Sequence, residues 1–539
     1  MDAFATHAVR NQPPPFGARD LWQDDAPLRE GLAREGGEGF AVEVATYGAL
    51  AGGELLALSH DAHRDRPRLR SHDAAGRRID QVEFHPHYHR VMAQAIAHGV
   101  AGLSWARPEP GAHVARAALA YLHYQAEPGS SCPLTMTHAA MPVLRQAPAL
   151  REWADKVAAC RYDARDVVIG DKAGVTLGMG MTEKQGGSDV RANATTATPG
   201  ADGMYSLVGH KWFMSAPMSD GFLVLAQAPD GLSCLLMPRR LPDGGRNAFS
   251  LMRLKDKLGD WSNASSEVEF QGALAWRVGD EGRGVATILQ MVMLTRLDCM
   301  LGSAGCMRMA LAQALHHARH RSAFGRPLSE QPLMRNVLAD IAIEAEAALA
   351  LSMRVARAVD AAARDPGEAA LARIATAIGK YWICRRAPAV VNEAQECLGG
   401  AGYVEESLLP RLYRQAPLNS IWEGSGNIQC LDVLRALARE PDTAAALRAE
   451  IEAARGLHPA LDVVAMQLGD MLAATDEAGS RMLVERLALA LQAAVLLRAG
   501  SPVAEVFCRS RLGGEHGLAL GTLRVGVDHA SVMDRALPG

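Results

Sequence analysis

The sequence predicts an α+β protein with a helical N-terminal region, a middle β domain, a helical bundle and an additional C-terminal helical domain. Three observations predict this order. Apolar residues recur at helical spacing in the first and last parts of the chain. Short apolar or alternating runs, separated by Asp-Gly, Pro and Gly, fill the middle. A chain of 539 residues also exceeds one hydrophobic core. We predict domains at residues 1–177, 178–284, 285–441 and 442–539.

Composition sets limits on partners and location. The formal net charge is −4, so an anionic partner would have to be held by a local basic patch. The start, Met1 to Phe4, lacks a basic region followed by an apolar core, and no window reaches roughly eighteen uninterrupted apolar residues. The nine cysteines never stand in Cys-x-x-Cys spacing, which indicates neither a disulfide framework nor a zinc site. We expect a cytoplasmic protein with no metal and no membrane contact.

The first 110 residues mix Pro/Gly segments with helical stretches and are interpreted as an irregular helical extension. Within them, His85, His87 and His89 alternate around Pro86 and Tyr88. Such spacing could ligate a metal, but no carboxylate or cysteine set stands nearby, which favours packing or surface roles. We assign these histidines no chemistry. The stretches 115–126 and 141–153 predict further helices.

The middle and later elements follow from changes in periodicity. Strands are predicted at 205–213, 222–226, 232–237 and 265–270. Helices are predicted at 285–319, from Leu333 onwards, and at 369–397, where Gly399-Gly400 is a stop signal. The final segment, from Asp442, is predicted to be helical, with Ala-rich stretches such as 487–497.

The stretch from Gly178 to Val190 (GMGMTEKQGGSDV) is the most informative in the middle of the chain. Its four glycines allow the backbone to approach a bulky ligand, and Thr182 and Ser188 can donate hydrogen bonds. Composition alone favours an ordinary Gly/Ser turn. The alternative is a loop that holds a cofactor, and the order and spacing of its residues support this only through the family resemblance given below.

A second informative stretch is Trp422-Glu423-Gly424-Ser425. A glutamate before a glycine is ordinarily a carboxylate at the start of a helix, where acidic residues are stabilised. The alternative is a catalytic base.

Together these stretches resemble the two hallmark motifs of the acyl-CoA dehydrogenase family, over roughly residues 175 to 435. The resemblance implies that family's fold, FAD as cofactor and Glu423 as the catalytic base. Proton removal beside a thioester carbonyl needs a desolvated base, and hydride removal needs a flavin, which no side chain can replace. The implied FAD-binding residues are Met179, Gly180, Met181, Thr182, Glu183, Lys184, Gln185, Gly186, Gly187, Ser188, Phe213, Met214, Ser215, Arg321, Phe324, Ile421, Trp422, Gly424, Ser425, Gly426, Asn427, Ile428, Gln429, Cys430 and Leu431.

Individual roles also follow from the resemblance. Phe213 would cover the flavin and Ser215 would reach its N5 edge, although an aromatic residue in a strand is more often part of a core. Arg321 and Phe324, in an Arg-x-x-Phe-Gly motif, would reach the FAD of a neighbouring subunit, as would the backbone of 396–403. The resemblance therefore implies a homotetramer built as a pair of dimers.

Three positions depart from the family pattern. Arg296 matches an arginine that helps to seat CoA, but Met293 replaces an acidic residue. Trp261 stands where an arginine is usual, and Gln331 lies one residue short of a flavin-contacting glutamine. These changes weaken the expectation of CoA recognition more than that of flavin binding.

The residues of these motifs are most similar to those of an alkylation-response branch of the family. The resemblance implies binding of duplex DNA through a C-terminal extension. Residues 433–539 carry eleven arginines, no lysine and thirteen acidic residues, so this segment has no net positive charge for phosphates. A one-sided arginine patch and an ordinary solvated helical surface both fit this pattern. The candidate DNA contacts are Arg435, Arg439, Arg509, Arg511 and Arg524.

Three functions therefore remain open. The chain is expected to be an FAD-containing, DNA-binding protein that protects DNA during the response to alkylation, with weak isovaleryl-CoA-like dehydrogenase activity. The alternative is a genuine dehydrogenase of short or branched acyl-CoA that uses Glu423 and FAD and does not bind DNA. The third interpretation is a scaffold that keeps FAD for structure alone.

Overall fold

The computed structural model describes residues 6–200, 203–474 and 476–537. The predicted start at Met1 to Phe4 lies outside these ranges. The described chain has the predicted order of helical, β and helical regions.

The N-terminal region is helical with one β-hairpin. Sequence reasoning missed this hairpin, whose charged strands have an alternating, half-exposed pattern. Its elements are α1 (Ala26–Arg34), α2 (Ala41–Leu50), α3 (Leu56–Arg64), β1 (Arg68–His72), β2 (Arg78–Glu83), α4 (Pro86–Ala97), α5 (Leu103–Ala106), α6 (Ala112–Ala126), α7 (Ser131–Ala139), α8 (Met141–Leu144) and α9 (Arg151–Ala158). The single helix predicted at 141–153 is thus divided between α8 and α9, because Pro148 begins a short 3₁₀ turn between them.

The middle region is a seven-stranded sheet that closes on itself. Its strands are β3 (Leu177–Gly180), β4 (Thr196–Pro199), β5 (Met204–Ser215), β6 (Gly221–Ala228), β7 (Gly231–Pro238), β8 (Phe249–Leu254) and β9 (Ser265–Val278). The order β6-β4-β5-β9-β7 returns to β6, while β3 pairs with β6 and β8 with β9. Apolar side chains such as Leu207, Phe222 and Phe270 fill the interior. Strands β3, β4 and β8 were not predicted.

The helical bundle and the C-terminal helices complete the chain. They are α10 (Gly284–His320), a two-residue hairpin of β10 (Ser322–Ala323) and β11 (Arg326–Pro327), α11 (Pro332–Ala361), α12 (Pro366–Cys397), α13 (Leu409–Gln415), α14 (Gly426–Arg439), α15 (Pro441–Glu452), α16 (Pro459–Ala474), α17 (Ser480–Arg498), α18 (Ala504–Phe507) and α19 (His529–Ala536). Helices α10, α11 and α12 pack against one another and against α6 and α17. Gly399, at a φ of +59°, follows the end of α12 as predicted.

Two helical stretches among the described residues, Glu38–Arg64 and Gly284–His320, are long and apolar enough to cross a membrane by length and composition. The apolar window of the second is 67% buried inside the protein. This helix, α10, packs on α6, α11 and α12, and packing in the core explains its apolar sequence.

The alternating histidines His85, His87 and His89 lie at the start of α4 and contact neighbouring residues of the fold. His85 caps α4 by accepting a hydrogen bond from the His87 amide, at 3.2 Å. His89 hydrogen-bonds the Tyr162 hydroxyl at 2.8 Å, and burial lowers the pKa of His89. Both contacts serve packing.

Candidate functional site

A cleft of about 860 Å³ lies where α7, α10, the strands of the barrel and the segment before α14 meet. Both informative stretches of the sequence reach it. The predicted residues that line it are Met179, Met181, Thr182, Gly187, Ser188, Phe213, Ser215, Ile421, Trp422, Glu423, Gly424, Ser425 and Ile428. Segments more than 200 residues apart in sequence therefore form one site.

Strand β5 presents alternate side chains to the cleft, because successive residues of a strand point to opposite faces. Phe213 is 49% exposed and Ser215 lies beside Ser265 of β9, with their hydroxyl oxygens 2.9 Å apart. Met214, between them, is fully buried in the interior of the barrel. The prediction that Met214 contacts the cofactor is therefore wrong for its side chain.

Glu183 has a structural role in the glycine-rich loop. Its carboxylate and the Lys211 ammonium are fully buried and 2.7 Å apart. Glu183 also accepts hydrogen bonds from the Ala194 and Thr195 amides, at 2.7 and 3.2 Å. Burial raises its pKa, but the Lys211 hydrogen bond and the other donors outweigh burial and hold the pKa at about 2. This ion pair fastens the loop to β5, and Glu183 does not line the cleft.

Other predicted cofactor residues also lie away from the cleft in this chain. Arg321 donates to the Asn11 carbonyl at 2.5 Å, and Phe324 is 99% exposed at the tip of the β10–β11 hairpin. Cys430 is buried in the helical core, and Gln429 supports the turn that carries Glu423. The remaining residues outside the cleft lining are Gly180, Lys184, Gln185, Gly186, Gly426, Asn427 and Leu431.

Glu423 occupies a strained backbone position. Its φ of +58° is unusual for a residue with a side chain, and Gly424 follows at +95°. The turn is held from behind: Lys380 donates to the carbonyls of Trp422, at 2.6 Å, and Gly424, while Gln429 donates to those of Glu423 and Gly424, at 3.1 and 2.9 Å. These donors stabilise an otherwise unfavourable turn and so fix the direction of the carboxylate.

Two residues of α10 act directly on Glu423. The Thr295 hydroxyl donates to the carboxylate at 2.8 Å, and the Arg296 guanidinium donates to the backbone carbonyl of Glu423 at 3.0 Å. Burial raises the pKa of Glu423 above its ordinary value, while the Thr295 hydrogen bond and the charges of Lys380 and Arg296 oppose this rise. A half-buried carboxylate with a raised pKa and a fixed direction is suited to accept a proton.

Arg296 supports the turn from α10. Its guanidinium is 2.7 Å from Asp432 and only 6% of the residue is exposed. The side chain holds the turn that carries Glu423 and also lines the cleft, and its role in seating CoA stays a prediction.

Sequence reasoning also missed Lys380 and Thr295. Lys380 is the single charged residue in the apolar stretch 374–384, and a lysine so placed on a buried helix face needs acceptors. That signal was available. Thr295 offered none, because a threonine in a helix usually bonds its own backbone.

The candidate DNA contacts separate into two groups. Arg511 is 2.5 Å from Asp340 and 3.2 Å from Glu344, with 5% of its side chain exposed, and Arg509 is 2.6 Å from Glu515. Arg511 is therefore not available to a phosphate, and its prediction is wrong. Arg435, Arg439 and Arg524 are exposed, and Arg435 also lines the cleft.

Comparison with known proteins shows the family of the chain. Residues 11–164 match the N-terminal domain of the adaptive response protein AidB, residues 178–273 the middle domain of acyl-CoA dehydrogenases, and residues 282–438 their C-terminal domain. The chain is 46% identical over 523 residues to the AidB protein of Escherichia coli (strain K12), covering 96% of each. It is 32% identical over 428 residues to acyl-CoA dehydrogenase family member 11 of Caenorhabditis elegans, covering 76% of this chain and 69% of that protein.

Solved structures show the same fold. The crystal structure of C. elegans ACDH-11 in complex with C11-CoA has a TM-score of 0.86 at 27% identity and covers 94% of each chain. An acyl-CoA dehydrogenase from Bacillus anthracis complexed with FAD has a TM-score of 0.64 at 18% identity, covering 84% of this chain and 86% of that one. FAD is the cofactor of these enzymes. The chain belongs to the acyl-CoA dehydrogenase family, and it carries the N-terminal domain of AidB.

Proposed function

We propose that this protein is an FAD-dependent oxidoreductase that forms a double bond next to the thioester carbonyl of an acyl-CoA. The observation that carries the proposal is Glu423, which is held at a strained turn and has its pKa raised by burial in the cleft that the glycine-rich loop also lines. The crystal structure of the C. elegans relative with C11-CoA supports this substrate class.

The lining of the cleft fits a flavin. Phe213 offers an exposed aromatic face, and Ser215 and Thr182 offer hydroxyls. The N-terminus of α14 follows the cleft residues Gly424 and Ser425 and has no side-chain cap, and amides at a helix N-terminus suit a pyrophosphate. These residues would hold FAD, which when bound accepts the hydride that leaves the β carbon of the substrate.

The side chains of the protein perform the proton chemistry. The Glu423 carboxylate would take the proton from the α carbon, because desolvation raises its pKa and so makes it a stronger base. The Thr295 hydroxyl orients the carboxylate, and Lys380 fixes its backbone. The electron pair of the broken C–H bond forms the new double bond as hydride leaves the neighbouring carbon.

The test is anaerobic mixing of the purified, flavin-loaded protein with a panel of short and branched acyl-CoAs. The wild-type flavin absorbance should be bleached by at least one of them. Glu423→Gln should retain its flavin and remain oxidised, whereas Glu485→Gln, on α17, should behave like wild type. A wild-type flavin that stays oxidised across the whole panel would leave the structural role of FAD as the better interpretation.

A second candidate is duplex DNA binding, which three exposed arginines favour. Arg435 and Arg439 lie one turn apart on α14, and Arg524 lies in the segment before α19. Phosphate contacts make affinity fall with salt. Replacing Arg435 and Arg439 by Gln should weaken duplex binding and reduce its salt dependence. Arg511→Gln is unsuitable as a control because it breaks a buried ion pair, so Arg455→Gln, at an exposed position in the turn after α15, serves instead. Unchanged affinity in the double variant would contradict this candidate.

We also propose a homotetramer. Phe324 and Tyr403 are 99% and 83% exposed, and both belong to motifs expected to cross to a neighbouring subunit. Phe324→Ser should lower the mass measured by light scattering, and a wild-type monomer would refute the assembly.

A further inference from the structure

Strand β5 contains a β-bulge at the edge of the cleft. Its pairing with β9 shifts register between Lys211 and Met214. Both of these side chains are fully buried, although residues three positions apart in a regular strand point to opposite faces. Trp212 and Phe213, which lie between them, stand opposite the single residue Glu267 of β9. The bulge thus lets both aromatic side chains point out of the barrel interior.

The bulge is fastened to the glycine-rich loop. The Trp212 amide donates to the Thr182 carbonyl of that loop at 2.8 Å. The preceding residue, Lys211, holds Glu183 of the same loop at 2.7 Å. Since Thr182 and Phe213 both line the cleft, the bulge and the loop form one continuous wall of it.

The ammonium of Lys255 lies against both rings of the bulge. Lys255 follows β8 directly, and its amide donates to the Ser265 carbonyl at 2.7 Å. Its Nζ is 3.3 Å from the centroid of a Trp212 ring and 4.5 Å from that of Phe213. Both distances are well inside the range of about 6 Å over which a cation is attracted to an aromatic face. The Lys255 side chain is 12% exposed and lines the cleft, so water screens this attraction little.

An ion pair alone does not account for the place of Lys255. Its ammonium donates to Oε1 of Glu267 at 2.7 Å, but Arg253 donates to the same oxygen at 2.6 Å. Glu267 therefore has a cationic partner without Lys255. Arg253 is 64% exposed, its guanidinium is 5.8 Å from the Trp212 ring, and it lies outside the cleft lining. Of these two cations, Lys255 is the one placed at the wall of the cleft.

Phe213 is the residue of this wall that needs support. It is 49% exposed, so packing against the barrel covers only part of its ring. A ring that must be ordered when a ligand binds lowers the affinity, whereas a ring that is already held does not. The cation above Phe213 supplies such support before the cofactor arrives.

We propose that Lys255 is a positioning residue of the flavin site, whose ammonium holds the Phe213 ring in the orientation that packs against bound FAD. The inference rests on the flavin site of the proposed function. It adds a residue that acts through Phe213 and not on the cofactor itself.

The experiment measures the dissociation constant of FAD from the full-length, flavin-loaded protein, by the rise of flavin fluorescence on serial dilution. Lys255→Gln keeps a donor for Glu267 and removes the charge, and it should raise the constant about threefold to tenfold. Lys255→Arg restores a cation and should return the constant to within about twofold of wild type. The matched control is Arg253→Gln, which removes the other partner of Glu267 and should also stay within about twofold of wild type.

A double-mutant cycle with Phe213→Leu shows whether Lys255 acts through the ring. In the Phe213→Leu background, adding Lys255→Gln should change the constant by about twofold or less. An equal rise in both backgrounds would mean that Lys255 contacts the cofactor directly, and it would overturn the inference. An unchanged constant in Lys255→Gln, or an equal rise in Arg253→Gln, would overturn it as well. If Lys255→Gln does not fold, Lys255→Met takes its place in the same cycle with the same criteria.

The acyl-CoA panel keeps this inference distinct from the proposed reaction. If the cycle gives the expected coupling but no acyl-CoA bleaches the flavin, the reaction fails and the role of Lys255 stands. If the flavin is bleached and the two substitutions act independently, the reaction stands and the role of Lys255 is refuted. A wild-type chain that binds no FAD would refute both.

Discussion

Replacing Thr295 by valine tests how the cleft sets the basicity of Glu423. Valine keeps the volume of threonine and removes the hydroxyl that donates to the carboxylate at 2.8 Å. The hydrogen bond stabilises the ionised form, so its loss should raise the pKa of Glu423 above its already raised value. Because only the ionised form accepts the proton, the pH at which flavin reduction reaches half its maximal rate should move to higher pH.

The expected size of this shift follows from the hydrogen bond. A bond to a charged group contributes about 1.5–3 kcal/mol, and about 1.4 kcal/mol corresponds to one pH unit. The Thr295 hydroxyl also lies 3.0 Å from the Val292 carbonyl, which competes for its proton. We therefore take the lower end of the range and expect a shift of about one pH unit.

The assay is stopped-flow flavin reduction across pH with one bleaching acyl-CoA. The matched control is Thr287→Val, on the same helix two turns earlier, because the Thr287 hydroxyl bonds only the Arg283 carbonyl, at 3.2 Å. The control should leave the midpoint unchanged. A midpoint in Thr295→Val that stays in place or moves to lower pH would show that this hydrogen bond does not tune the base.

Three further predictions concern the glycine-rich loop and the cysteines. Lys211→Met should destabilise the protein by about 3–5 kcal/mol in urea unfolding, because it leaves the buried Glu183 charge without a partner. Gly187→Ala should lower the flavin-to-protein absorbance ratio after purification, since a Cβ there would lie 2.4 Å from the Thr182 hydroxyl and displace it from the cleft. Native labelling with iodoacetamide, read by mass spectrometry, should modify Cys160 before the others, because it is the half-buried cysteine and the other eight are buried.

Each of these predictions has a matched control and a contradicting result. Lys184→Met, at an exposed position, should change stability by about 0.5 kcal/mol or less, and an equal loss in both variants would refute the role of the buried pair. Gly53→Ala meets no atom within 4 Å and should keep its flavin. Burial raises the pKa of Cys132 to about 12, so little of its thiol is in the reactive thiolate form. Labelling of Cys132 as fast as that of Cys160 would therefore contradict the burial of Cys132 on α7.

The long helices and the apolar strands were predictable because burial imposes a period on their sequences. Helices α10 and α12 begin and end within three residues of the predicted limits, and the inner strands β6 and β7 contain the predicted runs. Strand β4 was missed because its four residues, TATP, are mostly exposed and carry no apolar pattern. Its place is set by pairing with β5, which only the folded chain provides.

The position of a residue at the cleft was predictable where a motif names that residue, as at Glu423 and Phe213. It was not predictable where distant residues converge. Thr295 is 128 positions from Glu423, and Asp260 reaches the cleft only through a loop whose positive φ leaves no mark in the sequence. The charge of Arg511 was equally misleading, because its acidic partners stand on another helix far along the chain.

The buried pair of Glu183 and Lys211 also bears on how relatives of this chain are interpreted. Since the most recognisable acidic residue of the glycine-rich motif serves to anchor the loop, selection for a correctly folded barrel alone would preserve it. A homologue that has lost its glutamate base could therefore keep this motif intact through long divergence. A genome survey that identifies active enzymes by the glycine-rich loop motif alone would also count homologues that lack the glutamate. The Trp-Glu-Gly-Ser segment is the better one to compare.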